Sequence, residues 1–311
     1  MSTVTRRTVV VGIDGSEGSD AALAWAARHA QLAGADLALV HAVAIPSMAG
    51  IGWTVDANLE AGRLLRALEV EGEKLVARAR RAMAERHPQL TVRTEVVAGD
   101  PRQVLLDRAS EADLLAVGSH GRGPVRSLLV GSVGAALARH ASTPTVVVRG
   151  ATAGTAGVVA GVETAASAEP LLRFAFEYAD LHGLPVIALS SVPSGIAGAI
   201  PAHLAEPDTE DVVTTRAMLA DATGPAAARH PDVRVHLEVA RGHPTECLLE
   251  HADGASLVVV GTSRHHVGNN AVAAVEHATC PVAVVPLHEP EHEPEHEPGH
   301  EPEHLERSWP P

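Results

Sequence analysis

The sequence predicts an α/β fold of two tandem, doubly wound, five-stranded parallel-sheet domains, and three observations carry that prediction. Short aliphatic runs alternate with stretches of helical periodicity, the pattern of βαβ units. The second half repeats the first at a nearly constant offset. The 311 residues are 46% apolar but only 2% aromatic, so their cores must be aliphatic, as buried parallel sheets under Ala-rich helices are.

The repeat is legible residue by residue. Val97-Ala98-Gly99-Asp100-Pro101 matches Ala240-Arg241-Gly242-His243-Pro244 at an offset of 143, which also carries Leu105-Leu106 onto Leu248-Leu249 and Leu115-Ala116-Val117-Gly118 onto Val258-Val259-Val260-Gly261. Val10-Val11-Gly12-Ile13-Asp14 matches Val159-Ala160-Gly161-Val162-Glu163 at 149. His140-Ala141-Ser142-Thr143-Pro144 matches His277-Ala278-Thr279-Cys280-Pro281 at 137. The fall from 143 to 137 makes the second copy six residues shorter between the positions of Gly118 and His140.

In the first copy, strands are expected near residues 8–13, 37–42, 91–97, 113–118 and 144–148, and in the second near 157–162, 185–191, 233–240, 256–261 and 282–285. Leu23, Ala26, Ala27 and Ala30 share one face of the first helix; Leu64, Leu68, Leu75, Ala79 and Met83 form the stripe of the second, and both stripes predict core packing. Gly34-Ala35-Asp36 and Pro88 are the stop signals. The expected organisation is a first domain over 1–150, a second over 151–287 and a disordered tail over 288–311. In that tail, prolines punctuate Glu-His-Glu-Pro units and oppose helix. His288, His292, His296, His300 and His304 recur among carboxylates, a pattern open to Ni²⁺ or Zn²⁺ chelation or to a plain solvated extension.

A formal charge of −14 argues against a nucleic-acid partner, which needs a surplus of Lys and Arg on one face. Cys247 and Cys280 have neither metal nor framework spacing and are expected to be reduced structural thiols. Gly12, Asp14 and Gly15 cut the first apolar run short of a signal core or membrane span, so a soluble, cytoplasmic protein is expected.

The strongest local signal is Gly118-Ser119-His120-Gly121-Arg122-Gly123, leaving a strand and followed by Gly131-Ser132-Val133 at the start of a helix. Ligands of parallel sheets bind beyond the carboxyl ends of strands, where glycines let backbone amides close on phosphate oxygens. A helix N-terminus at Gly131 and Ser132 adds free amides and a dipole that favours anions. His120 and Arg122 add charge complements, and their use in a slow ATP hydrolase or transferase is the competing catalytic possibility. Against it, no Walker lysine follows the glycines and no carboxylate in the loop is placed to hold Mg²⁺. There is also no G-x-S-x-G elbow, no HExxH motif, and no pyrophosphatase-type Ser-Gly-Gly-x-Asp-Ser run.

Taken together, Val9-Val10-Val11-Gly12-Ile13-Asp14 with Ser16, the G-x2-G-x9-G-S element and Pro144-Thr145-Val146-Val147-Val148 resemble the universal stress protein family. The resemblance is strong over 8–149 and fainter over 157–286. It implies an adenine nucleotide alpha hydrolase-like, Rossmann-like fold and an ATP-binding regulatory module, with any Mg²⁺ held mainly by the nucleotide. By resemblance, Asp14 lies by the adenosine, Ala42 after His41 meets adenine, Gly118, Gly121, Gly131 and Ser132 contact phosphate and ribose, and Gly12 and Gly99 line the pocket. Such domains pair through their last strands, so this chain is expected to form an internal pseudo-dimer open to homodimerisation and to an unidentified protein partner. The second copy departs from the pattern: Glu163 stands for Asp14, Arg264 for the second glycine and Asn269 for the Ser, so loss of ATP binding is expected there. Arg264, His265 and His266 are left as anion-holding side chains or as an ordinary surface turn.

Overall fold

Within each half, strand and helix alternate in the order the sequence predicts. The computed structural model describes residues 6–44, 55–119, 131–140, 142–149, 155–193, 210–262 and 269–287, with backbone alone at 55–60 and 269. The first half contains β1 (Thr8–Gly12), α1 (Glu17–Ala33), β2 (Asp36–Val43), α2 (Val55–Arg86), β3 (Val92–Ala98), α3 (Pro101–Ala109), β4 (Leu114–Gly118), α4 (Ser132–His140) and β5 (Thr145–Val148). The second contains β6 (Val158–Gly161), α5 (Ala165–His182), β7 (Val186–Val192), α6 (Glu210–Arg229), β8 (Val235–Arg241), α7 (Pro244–Ala252), β9 (Leu257–Thr262), α8 (Asn269–His277) and β10 (Val282–Pro286).

Local chemistry sets the helix ends. The Ser16 hydroxyl accepts from the Ser19 amide to start α1, and Gly34, at φ 62°, closes it in the left-handed conformation that side-chain-bearing residues avoid. Asp100 caps α3 with Pro101 at its first position, and His243 caps α7 with Pro244 behind it, so the repeated Gly-x-Pro units perform one task in both halves.

The strands form one sheet in the order β3-β2-β1-β4-β5-β10-β9-β6-β7-β8. Neighbours within each half are parallel, whereas β5 and β10 run antiparallel, with Val147 opposite Val282 and Thr145 opposite Val284. The pairing through last strands is thus made within the chain. Because that pairing is antiparallel, the carboxyl ends of the two halves' strands lie at opposite edges of the sheet. Helices α1 and α5 meet on one face of the seam and α4 and α8 on the other. The aliphatic layer on each face runs continuously through both halves. Arg149 ties the seam further, donating to the Glu276 carbonyl near the end of α8 at 2.6 Å.

The sequence stripe of α2 needs correction. Met83 is buried, but Leu64 and Leu68 are 49% and 37% exposed, while Val76, outside the predicted stripe, is buried. The reason is length: 32 residues of helix reach about 48 Å, and the eight of β2 about 27 Å, so the start of α2 overshoots the sheet.

Where α1 meets α5, Trp25 and His29 stack with Tyr178 and His182, and His29 Nδ1 lies 3.2 Å from His182 Nε2. One imidazole donates and the other accepts, which requires at least one of them to be neutral. Burial, with Arg7 adding repulsion, lowers the His29 pKa to about 4; burial, then His29 and Arg28, lowers that of His182 to about 4. Both rings therefore bind protons more readily in the unfolded chain, and the stability they contribute is lost as pH falls from about 6.5 towards 4. We predict that chemical denaturation shows a loss on the order of 2 kcal/mol between about pH 7 and about pH 4.5, a slope much reduced in the His29→Gln/His182→Gln protein.

Candidate functional site

From β1 the chain winds outward to β2 and β3, then crosses back to β4 and β5. The connections leaving β1 and β4 therefore diverge, and a crevice opens at their carboxyl ends, where doubly wound sheets bind ligands. The same reversal recurs between β6 and β9. Each half thus has one such crevice.

In the first half, Gly12 and Gly118 end the two central strands. A Cβ on Gly12 would stand 2.9 Å from the Leu105 side chain, and one on Gly118 2.4 Å from the backbone of Gly18. Gly118 therefore lets the first turn of α1 lie directly on the end of β4. Between β1 and α1, Gly15 at φ 75° turns the chain, so that the Asp14 carboxylate accepts from the Ser16 amide at 2.9 Å and hydroxyl at 2.6 Å. His41 donates from Nδ1 to the Ile13 carbonyl at 2.7 Å and packs under Gly72 of α2, fixing the end of β2 at Ala42 against the loop after β1.

Across the crevice, the Gly131 amide donates to the Ser119 carbonyl at 2.8 Å, and the Ser119 amide to Val148 at 3.0 Å. Ser119, after β4, and Gly131, before α4, are thus held side by side. Ser132 and Val133 then open α4, whose first amides lack intrahelical acceptors. The structure brings Gly12, Asp14, Ala42, Gly118, Ser119, Gly131, Ser132 and Val133 to one edge of the sheet, with Gly99 at the end of β3 on its outer side. His120, Gly121, Arg122 and Gly123 lie outside the described residues, as do Arg264, His265, His266 and the tail histidines. Among the described residues, no cluster of three His, Cys, Asp or Glu is placed to hold a metal.

The second crevice is a cavity of about 310 Å³ lined by Val162, Glu163, Ser190, Leu248, Val260 and Asn270, with Cys247 in its wall. Here the loop after the first strand is one residue shorter: Thr164, directly after Glu163, caps α5 in a reciprocal capping box with Ser167. There is no counterpart of the Asp14-Gly15-Ser16 turn, and the Glu163 carboxylate instead accepts from Asn270 Nδ2 at 2.7 Å. Asn270 in turn accepts from the Thr245 hydroxyl. Sequence comparison overlooked Asn270 and Thr245; the available signal was that Asn270 falls on Val133 in the repeat.

The universal stress protein family matches residues 5–149 and again 157–286. This chain belongs to the universal stress protein family. A universal stress protein of Mycolicibacterium smegmatis is 32% identical over 299 residues, covering 92% of this chain and 99% of its own length. One from Mycobacterium tuberculosis is 30% identical over 304 residues, covering 90% and 95%. Among solved structures, a universal stress protein from Archaeoglobus fulgidus superposes with a TM-score of 0.65 at 15% identity, over 91% of this chain and all (100%) of its own, and supports the shared fold. No helix among the described residues is long and apolar enough to cross a membrane.

The tight approach at Gly118 distinguishes its role in this universal stress protein from that of an ordinary loop glycine. We predict that Gly118→Ala lowers stability by about 1–3 kcal/mol, read from urea unfolding, because backbone rather than a flexible side chain must move. Gly34→Ala meets no atom within 4 Å and is strained only by its positive φ of 62°, so it should cost about 1 kcal/mol.

Proposed function

We propose that this protein is a nucleotide-dependent regulatory module of stress adaptation, with ATP bound as a ligand in the first crevice by a domain over 1–150, and that the domain over 151–287 is degenerate for ATP. The observation that carries the proposal is the convergence of the α4 N-terminus, the Ser119–Gly131 closure and Asp14 on the carboxyl ends of β1 and β4. Free first-turn amides and the helix dipole suit phosphate oxygens. The Ser132 hydroxyl can add a donor, and Asp14 offers an acceptor for ribose hydroxyls. Mg²⁺ would enter with the nucleotide and offset its phosphate charge.

The crevices open at opposite edges of a continuous sheet, so ATP acts on the second half through the seam rather than by contact. Occupancy shifts conformation or assembly only to the extent that ATP prefers one state, and a protein partner, or a second copy of the chain, would read that state.

Calorimetry of the full chain is expected to show one ATP per chain. Gly131→Glu, which sets a carboxylate at the α4 N-terminus, should weaken binding at least about 100-fold, whereas truncation before His288 should leave it unchanged. No ATP-dependent heat, or full binding in a folded Gly131→Glu protein, would sink the proposal.

A further inference from the structure

We infer that the His29–His182 pair is a proton-operated latch, which in acid releases α1 from α5 and opens one face of the seam while each half keeps its fold. The contact is built about the pseudo-two-fold relation between the halves. Counted back from the helix-closing Gly34 and Gly183, Trp25 falls on Phe174, His29 on Tyr178 and Ala33 on His182. The equivalent residues His29 and Tyr178 stack on each other at 5.6 Å, with Trp25 5.4 Å from His29 and His182 4.0 Å from Tyr178. His182, standing where the first half has Ala33, adds a polar link between the halves, the 3.2 Å bond to His29.

That link tolerates one added proton and fails with two. While either ring is neutral, one nitrogen donates and the other accepts; with both charged, two N–H donors face each other across the bond. The charged groups that act on the pair are Arg7, ahead of β1, and Arg28 of α1, both cationic. From α5, Tyr178 stays neutral, its side chain bonded to Trp25 and burial pushing its pKa up to about 12, while Asp180 is bonded to His230 after α6. The strands under α1 and α5, which are β1, β4, β5, β6, β7, β9 and β10, carry no ionisable side chain. In β2, Asp36 is held by Arg6 and Arg93, and His41 by the Ile13 carbonyl; His87, after α2, is bonded to Gln31. A second proton on the pair therefore meets only like charge, and solvent reaches both half-buried rings. The β5–β10 ladder has nothing to titrate and stays paired. None of the latch residues belongs to the first crevice or lines the second, so the inference stands apart from ATP binding.

The test reads Trp25, which is 6% exposed while the latch is shut. In the full chain carrying Trp53→Phe and Trp309→Phe, Trp25 is the one tryptophan left of three. Acrylamide quenching of its fluorescence should rise at least about twofold on acidification, with a midpoint between about pH 6.5 and about pH 4, and far-UV circular dichroism should not change over that rise. His182→Gln keeps a hydrogen-bonding partner for His29 but removes the second charge, and should hold Trp25 covered down to about pH 4.5. His182→Lys, with a fixed charge, should uncover Trp25 already at about pH 7; should that protein fail to fold, the His182→Gln profile decides alone. Quenching that is flat with pH, that rises only together with loss of helical signal, or that rises equally in the His182→Gln protein overturns the inference.

Discussion

The antiparallel pairing of β5 with β10 is the constraint on which the rest of the molecule depends. It joins two five-stranded sheets into one and makes the aliphatic layers on both faces continuous. Each half would otherwise expose an aliphatic edge strand, β5 or β10, a template for pairing with other chains. The outer edges that remain carry Arg93 and Glu95 on β3 and His236 and Glu238 on β8, charged and polar side chains that discourage further pairing. The same pairing sends the two crevices to opposite edges, with the stacked rings of Trp25, His29, Tyr178 and His182 and the packing of α4 on α8 at the seam between them.

Within that frame, one difference between the halves among the described residues is where a carboxylate goes. Asp14 is two residues before its helix cap, and the left-handed Gly15 folds its side chain onto Ser16. Glu163 is immediately before Thr164, lacks that glycine, and carries one more methylene; its carboxylate reaches α8 instead. Two copies of one fold thus give equivalent carboxylates different partners, without any change in strand order.

Much of this was legible in the sequence because the signals were local and periodic. Aliphatic runs located each strand to within two residues, and Gly34 and the Gly-Asp-Pro unit at 99–101 marked helix ends through backbone chemistry. The phosphate-loop pattern led to Gly118, Gly131 and Ser132, which the fold places along one crevice. What escaped depended on tertiary distance. The exposure of Leu64 and Leu68 follows from the length of α2 against the depth of the sheet, which a helical stripe does not encode. The packing role of Gly118 depends on how closely α1 approaches β4, and the Glu163–Asn270 bond joins residues 107 positions apart. The lining of the second crevice was hidden for the same reason: it is assembled from β6, β7, β9, α7 and α8, and most of its residues read singly as core or loop.

Amide hydrogen exchange with and without ATP addresses the central claim most directly, because it reports each crevice separately in the intact chain. The account predicts that ATP slows exchange at amides of the first half, around 13–16, 118–119 and 131–135, and leaves those around 162–164, 261–262 and 270–273 at their unliganded rates. Equal protection in both crevices, or none at the α4 N-terminus, would contradict it.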